Sequence, residues 1–211
     1  MNFTRIEWTD YTWNPITGCK GGCWYCYARK GCIRFNKTFE PVFHPERLLE
    51  PDKLKTHEKI FCCSISDLFA DWTPVGWREA VLQTIENCPW HTFQLLTKHP
   101  EGIDKKYEFG DWVWVGTTIT IQEDIWRIEE LKKIKARVKF ISFEPLFENI
   151  NCNLKGIDWI IIGKLTGHGR FKLNPQWINN LIQEARKHNI PVFIKDNVEW
   201  PEVIREYPEV K

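Results

Sequence analysis

The sequence has little net charge and no long apolar run. Lysine and arginine number 29 and aspartate and glutamate 28, which gives a net charge of +1. No global basic field therefore points to nucleic acid, although a local patch would be enough to bind it. The first residues lack the apolar run of a signal peptide, and no segment reaches the roughly 18 apolar residues of a membrane span. We expect a cytoplasmic protein with no membrane partner.

The chain also lacks internal repeats, low-complexity segments and Ser/Gly-rich linkers. Its 211 residues, 43% of them hydrophobic, suit one domain with a substantial core. We therefore expect a single domain over residues 1–211.

Strand-like and helix-like segments alternate along the chain. Runs of β-branched and aromatic residues predict strands near residues 11–17, 59–66, 92–96, 112–119, 138–143, 159–163 and 191–195. Helical spacing of apolar residues predicts helices near residues 24–36, 74–88, 125–134 and 175–185, and a short helical turn at 100–107. Thr73-Pro74 and Asn174-Pro175 have the composition of helix starts.

This alternation predicts an α/β fold built from right-handed βαβ units. Six or seven mostly parallel strands are fewer than the eight of a closed barrel, so we expect a partial, open β/α barrel. In such folds ligands bind at the carboxyl ends of the strands.

Three of the eight cysteines form a compact motif. Cys19, Cys23 and Cys26 follow the pattern C-x3-C-x2-C in the loop 18–27, between the first predicted strand and the first predicted helix. In a reducing compartment clustered cysteines favour metal binding over disulfides. A structural zinc takes four protein ligands, and a [4Fe–4S] cluster is usually held by four cysteines. Three thiolates would leave one metal position open for a cofactor or substrate.

Another interpretation is a zinc knuckle completed by Cys32 or His44. We expect Cys32 to be a helix residue and the scattered cysteines to fill the core as small apolar side chains. Those scattered cysteines are Cys62, Cys63, Cys88 and Cys152.

The motif after the first strand resembles the signature of the radical S-adenosylmethionine (SAM) superfamily. The resemblance implies that Cys19, Cys23 and Cys26 hold a [4Fe–4S] cluster whose free iron is chelated by SAM. It also implies an external one-electron reductant, flavodoxin or ferredoxin, and reductive cleavage of SAM to a 5′-deoxyadenosyl radical that abstracts hydrogen from an unknown substrate. The cofactors would supply the chemistry and the protein the orientation.

Further segments resemble a family of small, phage-associated radical-SAM-like proteins of unassigned substrate. They occur in matching order over nearly the whole chain: IEWTDYTWNPITGC (6–19), CCSISDLF (62–69), FQLLTKHP (93–100), VWVGTTI (113–119), FISFEPL (140–146) and IDWIIIG (157–163). Where that family tends to have Gly-Gly-Glu-Ser-Gly, this chain has GKLTG at 163–167. No substrate role is carried over to that loop.

Polar residues at the predicted strand ends are candidates for holding SAM. Tyr25 matches an aromatic position of the superfamily whose backbone lies near the adenine. Ser66 and Asp67 offer acceptors for the SAM ammonium group, or they cap the following turn. Lys98 can pair with the SAM carboxylate or with an anionic substrate, or it is a solvated lysine.

Candidates continue along the later strands. Thr117 and Thr118 can contact ribose, or they are ordinary β-branched strand residues. Glu144 can bind ribose hydroxyls or face the sulfonium, or it forms a loop salt bridge. The loop 163–170, with Lys164, His168 and Arg170, can cradle a phosphate or carboxylate, or act as a lid.

Two other functions remain open. One is a non-catalytic zinc- or iron–sulfur-binding adaptor, in which nucleic acid is not excluded as a partner. The other keeps the cluster and SAM but cleaves a different sulfonium bond, which gives a 3-amino-3-carboxypropyl radical.

Overall fold

The structure is a computed structural model that describes residues 1–166 and 171–209. The strands in these residues are β1 Asn2–Phe3, β2 Tyr11–Trp13, β3 Ile16–Thr17, β4 Val42–Phe43, β5 Lys59–Cys62, β6 Thr92–Thr97, β7 Val113–Thr118, β8 Val138–Phe143, β9 Trp159–Ile162 and β10 Val192–Ile194. The helices are α1 Tyr27–Arg34, α2 Val75–Glu86, α3 Trp126–Lys132 and α4 Pro175–Lys187.

The main sheet has eight strands in the order β1-β2-β5-β6-β7-β8-β9-β10. All neighbours pair in parallel except β1, which pairs antiparallel with β2. The prediction of an α/β fold with an open, mostly parallel β/α barrel is confirmed, with seven parallel strands. Neither β1 nor the two-stranded antiparallel ribbon formed by β3 and β4 was predicted from the sequence. The single strand expected at 11–17 is divided into β2 and β3, which belong to different sheets.

Alternate residues of each strand face two different apolar layers. One face packs against the helices, as Ile141 and Phe143 of β8 do. The other face surrounds Trp8, whose ring lies 4.8 Å from that of Phe61 and 6.3 Å from that of Phe140. Trp8 therefore fills the inside of the open barrel, where a closed barrel would be filled by its own strand residues.

Side chains near both chain termini meet at the open edge beside β10. Glu7 accepts a hydrogen bond from the backbone N–H of Asp196 at 2.9 Å and pairs with Arg205 at 3.1 Å. The ring of Tyr207 stacks on Trp159 at 5.4 Å, and its hydroxyl donates to the Glu7 carbonyl. These contacts hold the segment that carries Trp8 against the last strand.

The predicted helix starts have different outcomes. Asn174 caps α4, because its side chain accepts a hydrogen bond from Gln176 N at 2.9 Å. The cap of α2 is Pro74 instead of Thr73. Thr73 is buried and donates its hydroxyl to the Asp67 carbonyl at 2.8 Å, so a tertiary contact replaces the expected capping bond.

Three predicted helices are shorter than expected. Residues 100–107 contain only the 3-10 turn Pro100–Gly102. The helix expected at 125–134 is α3, which ends at Lys132 and follows the 3-10 turn Gln122–Ile125. The helix expected from residue 24 begins at Tyr27, because the cysteine loop occupies the preceding residues. No helix in the described ranges combines the length and apolarity needed to cross a bilayer.

A glycine–phenylalanine contact offers a test of the barrel interior. A Cβ added to Gly116 would lie 2.6 Å from the ring of Phe140, its register partner on β8. Gly116→Ala should lower the free energy of unfolding by about 1–3 kcal/mol through overpacking. In combination with Phe140→Leu the loss should be smaller than the sum of the two single losses, because the smaller side chain relieves the clash.

The measurement is chemical denaturation of the two single variants and the double variant. Gly76→Ala is the control, since a Cβ there meets nothing within 4 Å on the exposed first turn of α2. Additive effects of Gly116→Ala and Phe140→Leu would contradict the contact.

Candidate cofactor site

A cavity of about 610 Å³ lies at the carboxyl ends of the parallel strands. Residues that follow β5, β6, β8, β9 and β10 line it, together with the cysteine loop: Ser66 and Asp67, Lys98 and His99, Glu144, Lys164, Lys195, Cys19, Cys23 and Cys26. Its volume is in the usual range for small-molecule and cofactor sites. The cavity lies at the edge of the sheet where this fold is expected to bind ligands.

The cysteine loop is anchored to its neighbours at its first residues. Gly18 has a φ of +84°, and a Cβ there would lie 2.1 Å from the Glu40 carbonyl oxygen, so only glycine fits. Cys19 N donates to the Phe39 carbonyl at 2.9 Å. The Arg29 guanidinium donates to the Cys19 carbonyl at 2.7 Å. The loop is therefore tied both to the chain beyond α1 and to α1 itself.

The cysteine sulfurs already take part in hydrogen bonds with the backbone. Gly21 N donates to Cys19 Sγ at 3.3 Å, and Arg29 N donates to Cys26 Sγ at 3.4 Å, where Cys26 is the N-cap of α1. Cys23 Sγ donates to the Gly21 carbonyl at 3.8 Å. Backbone N–H donors of this kind stabilise metal-bound thiolates and tune cluster potentials.

Burial is the main reason that the pKa of the Cys19 thiol is raised above its ordinary value. Nearby Asp67 and Cys23 raise that pKa further, whereas the Gly21 N–H and Lys98 lower it. A bound metal would reverse this balance, because coordination deprotonates a thiol outright.

Within residues 1–166 and 171–209, no three or more Cys, His, Asp or Glu side chains are arranged so that they could hold a metal ion. The assignment of Cys19, Cys23 and Cys26 as ligands therefore stays a prediction. The donor chemistry fits an iron–sulfur cluster, since three soft thiols line one cavity and two of them accept backbone N–H groups.

Neither residue considered as a fourth zinc ligand lines the cavity. Cys32 lies within α1, as expected. His44 Nε2 is 2.8 Å from Thr17 Oγ1, and its Nδ1 is 3.4 Å from Glu46. Cys62, Cys63 and Cys88 are buried, as predicted for packing residues, and Cys152 is half-buried.

Asp67 connects the ends of β5 and β6. Its Oδ1 accepts from Thr97 Oγ1 at 2.6 Å and from Phe69 N at 3.2 Å, and its Oδ2 accepts from Lys98 N at 2.9 Å. Both oxygens of this buried carboxylate are therefore used inside the protein. Asp67 lines the cavity but acts first as a scaffold that places Lys98.

Lys98 and Tyr25 lie close together at the cavity. The Lys98 ammonium lies 5.9 Å from the centre of the Tyr25 ring. Burial raises the pKa of Tyr25 above its usual range, and the neighbouring Cys23 raises it further. Phe147 packs against Tyr25 at 5.3 Å and stacks on Trp24 at 5.2 Å, which adds an aromatic wall beside the cysteines.

Glu144 lines the cavity and also forms an ion pair with Lys195. The position at the site and the salt bridge were considered as alternatives, and both occur. A Cβ added to Gly163 would lie 2.6 Å from Glu144 Cδ. Gly163 thus leaves the space that this carboxylate occupies. The pair joins the ends of β8 and β10 across β9.

The two adjacent threonine candidates differ in whether they reach the cavity. Thr117 does not reach the cavity, because it is fully buried and donates its hydroxyl to the Thr97 carbonyl at 2.9 Å. Thr118, on the opposite face of β7, lines the cavity. His168 and Arg170, expected in a cradle or lid after β9, lie outside the described residues, whereas Lys164 lines the cavity.

Several polar atoms at the cavity are buried without a hydrogen-bond partner among the described residues. They are Trp8 Nε1, Ser66 Oγ, Trp72 Nε1 and Arg127 Nε. Buried polar groups are rarely left unsatisfied, so this cluster of orphans indicates space for a polar ligand.

A set of three polar residues that line the cavity was missed in the predictions from the sequence. Asp124 Oδ2 accepts from Thr120 N and Thr120 Oγ1, each at 2.9 Å, and its Oδ1 pairs with Arg127 at 2.8 Å. Thr120, Asp124 and Arg127 all line the cavity. Polar residues just after β7 were the available signal, but their spacing reads equally well as a helix start.

The chain matches the model of the family described as "Protein of unknown function (DUF5131)" over residues 3–208. The chain belongs to this family. A comparison with curated proteins finds no match. The resemblance to phage-associated proteins stays a prediction.

Solved structures of spore photoproduct lyase share the fold. A double mutant with bound AdoMet and dinucleoside spore photoproduct matches with a TM-score of 0.57 and 11% identity, covering 90% of this chain and 64% of that chain. Another mutant matches with a TM-score of 0.63 and 9% identity, covering 92% and 78%. This chain thus spans about 64% of the length of the first of these. At such low identity the likeness shows the fold alone.

The scaffold role of Asp67 can be tested by stability. In Asp67→Asn, one carboxylate oxygen is replaced by an amide NH2 group, which cannot accept a hydrogen bond. This group must face either the backbone N–H of Lys98 or the N–H of Phe69 and the hydroxyl of Thr97, so at least one buried hydrogen bond is lost. We expect the free energy of unfolding to fall by about 1–3 kcal/mol. Thermal and chemical denaturation would measure it, with Asp71→Asn as control, because Asp71 is exposed. Equal stability of both variants would contradict the scaffold role.

Proposed function

We propose that the protein is a radical SAM enzyme in which Cys19, Cys23 and Cys26 hold a [4Fe–4S] cluster. The observation that carries this proposal is the opening of all three cysteines into one cavity at the carboxyl ends of the barrel strands. The superfamily motif and the shared fold with spore photoproduct lyase, one structure of which contains AdoMet, support it. The single domain over residues 1–211 and a cytoplasmic location belong to the same proposal.

When bound, the reduced cluster supplies one electron for cleavage of SAM to methionine and a 5′-deoxyadenosyl radical, which abstracts hydrogen from the substrate. The protein contributes binding, orientation and exclusion of water. Tyr25 lines the cavity beside the cysteines, and the rings of Trp24 and Phe147 pack against it.

The lining side chains divide the binding of SAM between them. Ser66, whose hydroxyl has no partner among the described residues, can accept a hydrogen bond from the ammonium group of SAM. Lys98, fixed by Asp67, places its ammonium where it can pair with the carboxylate. Glu144, oriented by Lys195, can accept hydrogen bonds from the ribose hydroxyls, and Thr118 takes the role first expected of Thr117.

The substrate is a separate question. Structures of spore photoproduct lyase contain a dinucleoside photoproduct, so a dinucleoside is the first class to test, beside peptides and small metabolites. The electron must come from an external reductant, for which flavodoxin and ferredoxin are the natural candidates.

Replacement of the cysteines tests the proposal directly. Cys19→Ala, Cys23→Ala and Cys26→Ala should each abolish cluster assembly and SAM cleavage, because each removes one of only three ligands. Cys32→Ala is the matched control, since this nearby thiol lies on α1 away from the cavity. Iron and sulfide content, and the spectrum of the reduced protein with and without SAM, measure the outcome under strict exclusion of air.

Three results would redirect or overturn the proposal. Iron retained in a triad variant would show that the ligand assignment is wrong. A colourless protein with stoichiometric zinc would favour the adaptor function. Methylthioadenosine in place of 5′-deoxyadenosine among the products would show the alternative cleavage that yields a 3-amino-3-carboxypropyl radical.

The role of Glu144 gives a second test. Gly163→Ala should displace the Glu144 carboxylate and weaken SAM binding about tenfold, equivalent to about 1.4 kcal/mol. Glu144→Gln should weaken SAM binding by a similar factor, because it removes the charge of the carboxylate. Cluster content should not change, because neither residue contacts the cysteines. Equilibrium dialysis with labelled SAM measures the affinity, with Gly76→Ala as control. Unchanged affinity in both variants would remove Glu144 from the SAM site.

A further inference from the structure

Residues 20–37 are strongly basic although the chain is almost neutral. They carry Lys20, Arg29, Lys30, Arg34 and Lys37 and no acidic residue. Because the net charge of the whole chain is +1, the remaining residues sum to −4. Positive charge is therefore concentrated on the cysteine loop and the helix that follows it.

The end of α1 combines this charge with exposed apolar side chains. Ile33 is 65% exposed and Phe35 is 70% exposed. The Arg34 guanidinium lies over the Phe35 ring, 5.9 Å from its centre. Neither Arg34 nor Lys37 forms an ion pair with any residue in the described ranges. We call Ile33, Arg34, Phe35 and Lys37 the α1 face.

The α1 face lies close to the cysteines but outside the cavity. Tyr27 and Ala28, at the start of α1, line the cavity, whereas none of the four residues of the α1 face does. At a rise of 1.5 Å per residue, Arg34 is about 12 Å along the helix from Cys26. A molecule docked on this face need not enter the cavity. It can pass an electron, because electron transfer does not require contact between the two centres.

We propose that the α1 face docks an acidic one-electron carrier protein that reduces the cluster. This proposal rests on the proposed function, since it assigns the entry point of the electron that SAM cleavage consumes. The reduced flavin or iron–sulfur centre of the carrier would lose one electron, and a cluster held by Cys19, Cys23 and Cys26 would gain it. No bond forms or breaks in this step.

The composition of the face fits a transient protein partner. Redox encounters use small interfaces, and a few exposed apolar and aromatic side chains with an arginine are typical of their centres. Basic residues beside them would steer a carrier of opposite charge, at a rate that falls with ionic strength. A nucleic acid is the competing partner, but the exposed Ile33 and Phe35 form an apolar surface of the kind found at the centre of a protein interface.

The experiment measures binding and turnover separately. Reduced flavodoxin is the probe, and Arg34→Glu/Lys37→Glu is the test variant. Reversal of two charges should weaken flavodoxin binding about tenfold or more at low salt and flatten its salt dependence. SAM cleavage driven by flavodoxin should fall in parallel, whereas cleavage driven by a small chemical reductant should stay at the level of the unaltered protein.

Lys53→Glu/Lys55→Glu is the matched control, because both lysines are exposed and precede β5, at the opposite end of the strands from the cavity. Equal flavodoxin affinity of test and control variants would overturn the proposal. Loss of binding to a single-stranded oligonucleotide with flavodoxin binding intact would overturn it in favour of nucleic acid. Absence of SAM cleavage with every reductant would instead contradict the proposed function, and the binding measurement would still report on docking.

Discussion

The shape of the cavity depends on the hydrogen bonds accepted by the buried carboxylate of Asp67. Its two oxygens accept three hydrogen bonds from Thr97, Lys98 and Phe69, so the loop after β5 and the end of β6 cannot move independently. A buried charge of this kind is retained only when its acceptor sites are filled. Lys98 therefore starts from a fixed backbone position, and the wall that faces the cysteine loop has a defined shape before any ligand binds.

Much of the fold could be predicted because its strands are buried on both faces. The apolar runs in β6, β7, β8 and β9 are the direct result of helices on one side and Trp8 on the other. What the pattern could not predict depends on residues far apart in sequence. The contacts of Glu7 with Asp196 and Arg205 span almost the whole chain, and the β3–β4 ribbon is too short to show a period.

The edge of the sheet that carries the candidate site could be predicted from the sequence, but not every residue that lines the cavity. Parallel strands end at one edge, so polar residues at strand ends had to meet there, as Lys98 and Glu144 do. The sequence did not distinguish Thr117 from Thr118, because successive strand residues face opposite sides and an error of one reverses the side. The Glu144–Lys195 pair was equally hidden, since its partners end two strands that are not neighbours in the sheet.

The cysteine loop separates two surfaces of different electrostatic character. Inside, the cations Arg127, Lys164 and Lys195 each have a carboxylate partner, so the cavity is nearly balanced in charge. Outside, Arg34 and Lys37 form no ion pair with the described residues and lie beside the exposed side chains of Ile33 and Phe35. Under the proposed function, SAM and substrate would enter the cavity and the electron would arrive over α1, so the two surfaces would serve different partners. The net charge of +1 is thus the sum of +5 in residues 20–37 and −4 in the rest of the chain.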